Sequence, residues 1–187
     1  LISQNQYCLL GHLTEHFLPE DLYMELLDEY CQNNPDVQMS DMKKLNQLTQ
    51  RILESTPIRL IIYDSVLKDF TVTGELDFFG IKISLNVSQR LRCLKNLEYM
   101  ITDLEFLNVC ILPEGALSDH QHIAHPTLFM SDSICYLRLK RLAPEYNICI
   151  PNKIALNHIF EEFFKDIWSS YINQDNYRNV LSTLQHA

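Results

Sequence analysis

Ile58-Arg59-Leu60-Ile61-Ile62-Tyr63-Asp64 is a short apolar run closed by an acid, with helical patterns before it and strand patterns after it. Its length, its β-branched content and its single polar break at Arg59 predict a central strand covered on both faces. Asp64 then stands at the strand exit, where an open α/β sheet usually places a ligand. The fold read outward from this run is α/β, with α+β as the variant. It consists of a mixed sheet of about five to seven strands flanked by helices, preceded by an N-terminal helical extension. The domain division is 1–57 as a helical linker or dimerisation arm and 58–187 as the α/β domain.

Upstream of the run, Leu9, Leu13 and Phe17 recur at i+4 spacing and predict a first helix ending at Leu18-Pro19. A second helix opens with Glu20 and Asp21 in its first turn and carries Tyr23, Leu26, Leu27 and Tyr30 on one face. Ser40 is placed to cap a third, with Leu45, Leu48 and Ile52 along one side up to Thr56-Pro57. Residues 1–57 hold nine acids against Lys43, Lys44 and Arg51, so most of the chain's net charge of −9 lies here. That charge fits either a solvated outer face or a dimer-forming arm.

Downstream, Phe70 and Val72 alternate with threonines, and Ile81, Ile83 and Leu85 alternate with Lys82 and Ser84, which predicts two half-exposed strands. The connection Glu75-Leu76-Asp77-Phe78-Phe79 between Gly74 and Gly80 either borders a ligand pocket or continues the strands through a bulge. Asn86 with Gln89 forms a capping-box pattern for a helix carrying Leu94, Leu97 and Ile101 on one face. Arg90, Arg92 and Lys95 form the densest positive group, either a contact for an anionic ligand or a solvated face. A second buried strand follows over 106–112, then a hairpin through Leu128–Met130 and Cys135–Leu139, and a short strand near Tyr146–Ile150. The stripe Leu156, Ile159, Phe160, Phe163, Phe164, Ile167, Trp168 and Tyr171 predicts a core helix with Trp168 buried, and Tyr177 to Leu184 a last amphipathic one.

Charge and composition exclude a broad nucleic-acid surface, because phosphate neutralisation needs clustered Lys and Arg. The six cysteines, Cys8, Cys31, Cys93, Cys110, Cys135 and Cys149, form no C-x-x-C pair and read as reduced thiols of a cytoplasmic protein. No apolar run reaches the roughly 20 residues of a membrane span. Neither a phosphate-binding glycine loop nor a G-x-S-x-G elbow is present. No cofactor, resident metal or catalytic residue is expected.

Within Ser118–Pro126, His120, His122 and His125 stand in the register of the H-x-H-x-D-H motif of the metallo-β-lactamase family, which this loop resembles. Ala124 takes the place of that motif's aspartate, and Pro126 follows where glycine is usual. The resemblance implies the alternative reading, a small metal-dependent hydrolase using these three histidines.

The acidic helical lead-in, mixed core, late hairpin and closing F-x-x-F-F-x-x-I-W helix resemble the C-terminal regulatory domains of bacterial one-component transcription regulators. That resemblance, one of layout over residues 40–172, implies a non-enzymatic effector-sensing or dimerising domain. Its expected partners are a second copy and a small effector or partner protein, with DNA contacted only through a domain outside this chain and no membrane.

Overall fold

The structure, a computed structural model, describes residues 6–113, 127–130, 134–139, 146–151 and 154–171. In chain order, β1 (Gln6–Leu10) leads through a 3-10 turn (Glu15–Phe17) to α1 (Glu20–Asn33) and α2 (Met39–Ser55). Then come β2 (Ile58–Tyr63), α3 (Asp64–Thr73), the hairpin β3 (Glu75–Phe78) and β4 (Ile81–Ser84), α4 (Val87–Asp103) and β5 (Leu107–Leu112). β6 (Thr127–Met130), β7 (Ile134–Leu139), β8 (Tyr146–Pro151) and α5 (Ile154–Tyr171) complete the described elements.

The organisation differs from the expected single sheet with a helical extension. The described strands divide between a six-stranded sheet, ordered β5-β2-β1-β6-β7-β8, and a separate two-stranded hairpin, β3-β4. The segment read as the first helix begins with β1, which pairs parallel to β2 and antiparallel to β6. The physical reason lies in Tyr7-Cys8-Leu9-Leu10. An apolar run ended by Gly11 suits a strand, and its i+4 coincidence with Leu13 and Phe17 does not outweigh two strand partners. β1 therefore joins a parallel half, β5-β2-β1, to an antiparallel half, β6-β7-β8.

β2 lies between β1 and β5 with every residue but Arg59 buried, as its apolar run predicts. Asp64 stands at the exit of β2. It opens α3, where a carboxylate suits the positive helix end, and pairs with Lys68 at 2.7 Å one turn on.

The strand expected at Phe70–Thr73 is the last part of α3. Val66, Leu67 and Phe70 are buried along one side of the helix while Val72 points outward, so the period that matters is helical. Gly74 ends α3 in the left-handed region at φ 66°, and a Cβ there would lie 2.3 Å from the Leu85 carbonyl oxygen. The connection 75–79 is shorter than its length in sequence suggested. β3 and β4 are joined by the two-residue turn Phe79-Gly80, with φ 51° and 85°, and Phe78 faces Ile81 in register.

α4 begins as read, with Asn86 and Gln89 exchanging both capping-box hydrogen bonds at 3.0 Å. Ser40 does not cap α2: Gln38 holds that position without a side-chain bond, and Ser40 lies inside the helix. On α5, Phe164 and Ile167 are buried, whereas Trp168 is only partly buried against the core, a correction to its expected place. The final helical pattern at 177–184 lies outside the described residues.

Candidate functional site

Cys8 and Leu10 of β1, Ile58 and Leu60 of β2, and Leu107 of β5 are set two residues apart or directly across the ladder, so they share one face of the parallel half-sheet. Over this face lies a cavity of about 560 Å³. Its other walls are Thr49, Ile52 and Leu53 of α2, Met100 of α4, the 3-10 turn with Glu15, His16 and Phe17, and the hairpin tip Phe79-Gly80. A volume of this order falls in the range of small-molecule sites, and the predominantly apolar wall with a few polar groups is their usual chemistry.

The polar groups collect at one end, where β1 runs out. His12 follows Leu10 by two residues and is buried, and its Nε2 lies 3.8 Å from Oδ2 of Asp77 on β3. Asp77 is 3% exposed and its other carboxylate oxygen accepts a 2.8 Å hydrogen bond from the Gly80 amide. Its own amide donates to the Leu13 carbonyl at 3.0 Å, and Thr14 bridges to Asp77 in parallel sense. The hairpin is thus docked on the β1 exit by backbone and side chain together. Glu15 and His16 complete this end, 3.8 Å apart.

The hairpin itself is anchored by rings. Phe78 and Phe79 stack edgewise with centroids 4.8 Å apart, and both meet Tyr23 and Tyr30 of α1 within 5.4–6.2 Å. Burial pushes the Tyr23 hydroxyl up to about 12, with the Glu15 carboxylate adding to the effect. From α4, Cys93 Sγ and Asn96 Nδ2 both donate to the Phe17 carbonyl, at 3.4 and 3.1 Å, which fixes the 3-10 turn.

The residues singled out in the sequence distribute differently. The 75–80 connection does border a pocket, through Asp77, Phe79 and Gly80. Arg90 instead closes the C-terminal end of α3, donating to the Thr71 carbonyl and, at 2.9 Å, to that of Val72. Arg92 pairs with Asp21 of α1. Two of the three cations offered to an anion are therefore engaged in holding helices together. His120, His122 and His125 lie outside the described residues. Among the described residues no group of three or more His, Cys, Asp or Glu side chains is arranged to hold a metal. No helix among them is long and apolar enough to cross a membrane.

The His12–Asp77 pair was not foreseen. Its only sequence signal is Asp77-x-x-Gly80, an Asx-type turn signature whose carboxylate is spoken for locally, and nothing in it points back to the β1 exit. At 3.8 Å the Asp77–His12 contact is longer than a hydrogen bond and becomes an ion pair only when the imidazole is protonated, and catalysis by a triad needs a nucleophile beside such a pair. The thiol that lines the cavity, Cys8, is pushed by burial from 9.0 up to about 12, which disfavours the nucleophilic thiolate.

Comparison with family models, with curated proteins and with solved structures finds no match to this chain.

Proposed function

We propose that this chain is a non-enzymatic ligand-sensing domain whose effector occupies the cavity over the β5-β2-β1 face. The observation that carries this reading is the roughly 560 Å³ apolar cavity with its ionisable groups gathered at one end. The regulatory role in transcription expected from the layout of the chain stays with this proposal. The net charge of −9 weighs against contact of this chain with DNA, so in this reading DNA is contacted through a different segment.

The experiment is titration with N-phenyl-1-naphthylamine, a neutral dye that fluoresces in apolar pockets. One-to-one binding is expected, and Thr49→Trp, which puts a large ring into the cavity from the partly exposed α2, should abolish it while leaving far-UV circular dichroism unchanged. Absence of saturable binding to the wild-type chain refutes the reading.

Self-association is a second part of the proposal, and the surface that supports it lies on α2, within the 1–57 segment expected as a dimerisation arm. α2 has no buried residue at all, and Leu45 and Leu48 are 48% and 55% exposed one turn apart. A second copy covering this stripe would satisfy the apolar face that the rest of the molecule leaves open.

A further inference from the structure

Resting on the ligand-sensing reading, the question is which head group the cavity selects. Among the described residues its lining contains no Lys or Arg. The ionisable side chains that face it are His12 from the β1 exit, Glu15 and His16 from the 3-10 turn, Asp77 from the hairpin and the Cys8 thiol from β1; α2 contributes Thr49, Ile52 and Leu53, and α4 contributes Met100. With both imidazoles protonated, the two histidines only balance the two carboxylates. With both neutral, the described lining holds two negative charges and no positive one.

Both carboxylates are withdrawn from water, with side-chain exposures of 11% for Glu15 and 4% for Asp77. Their field is therefore weakly screened at the polar end. The cations nearest in sequence to anion-binding expectations, Arg90 and Arg92, are turned away to the end of α3 and to Asp21. A carboxylate or phosphate entering this space would lose its hydration and meet like charge, whereas an ammonium or a hydroxyl would meet acceptors. The remainder of the described wall, from Leu10 to Leu107, is mostly apolar and favours hydrocarbon or an aromatic ring.

From this we infer that the ligand is an amphiphile with an apolar body and a cationic or neutral hydrogen-bonding head, and that the site discriminates against acidic amphiphiles of the same shape. Glu15 is the specificity-determining residue of the pair. Asp77 is held by the turn amide and faces His12, while Glu15 lies 3.8 Å from the partly exposed His16 and acts on the Tyr23 hydroxyl only through its charge.

The test displaces bound N-phenyl-1-naphthylamine from the full chain at neutral pH with three molecules that share one tail: octylamine, 1-octanol and sodium octanoate. Octylammonium and octanol should displace the dye at concentrations at least about tenfold below octanoate, the scale set by placing like charges together in a desolvated site. In Glu15→Gln the separation between octylammonium and octanoate should shrink severalfold. Octanoate displacing as well as or better than the other two overturns the inference, as does equal displacement by all three, or dye that none of them displaces. In each of those cases the dye still binds and the ligand-sensing reading stands. Failure of the dye itself to bind removes the reading and the inference with it.

Discussion

At Cys93 the fold holds a thiol at 0% exposure, its Sγ donating to the Phe17 carbonyl, and burial pushes it from 9.0 up to about 12. The folded chain keeps this proton over a pH window in which the unfolded chain releases it. Stability is therefore full below pH 9.0 and falls as pH rises from there toward 12, because the unfolded state gains by ionising. The slope assigned to one such group is on the order of 1 kcal/mol per pH unit. Urea midpoints measured from neutral to strongly alkaline pH should decline accordingly, and Cys93→Ala should decline less steeply than the wild type. Equal slopes in the two proteins would show that the buried thiol is not part of the alkaline transition. The same burial keeps this side chain out of redox chemistry, since the thiolate and not the thiol is the reactive form.

Elements show where local sequence decides and where it is overruled. β2 was legible because a six-residue apolar run needs nothing else to specify a doubly covered strand, and α4 because its two capping residues fix a start independently of the core. α3 was not legible. Phe70-Thr71-Val72-Thr73 has the alternation and β-branching of a strand, yet the buried side chains upstream, Val66 and Leu67, and the left-handed Gly74 make it the last turn of a helix. The candidate site failed to show for a similar reason: a carboxylate and an imidazole far apart in sequence meet only after a hairpin docks, and no local pattern encodes docking. On α5 the distinction between stripe and core becomes a measurable one. Phe164 is fully buried and Trp168 only partly so. Phe164→Ala should cost about 3–5 kcal/mol, and Trp168→Ala, whose site is already open to water on one side, distinctly less. Chemical denaturation of both variants checks the order, and a larger loss at Trp168 would contradict the packing described for this helix.

Among the described residues the outer stripe of α2 is an apolar face that the core does not cover, on the same helix that walls the cavity with Thr49, Ile52 and Leu53. Sedimentation equilibrium should give a mass above the 22.0 kDa of one chain at micromolar concentration. Leu48→Glu should return it to one chain without unfolding it. A wild-type mass that stays at one chain throughout would leave self-association without support. If the pairing is found, occupancy of the cavity and association would share a helix, which is the economical way for a domain of this size to couple one to the other.

The place of β1 also has a consequence for synthesis. The strand that joins the two halves of the sheet is made first, but its partners Ile58–Ile62 and Leu128–Met130 leave the ribosome much later. Until then the nascent chain carries an apolar strand with both edges open, a species prone to pairing with other chains. Non-local pairing of this kind slows folding, because the loops must close before their contacts repay the entropy. Removing Gln6–Leu10 would not trim an end; it would leave β5-β2 and β6-β7-β8 as two fragments with no ladder between them.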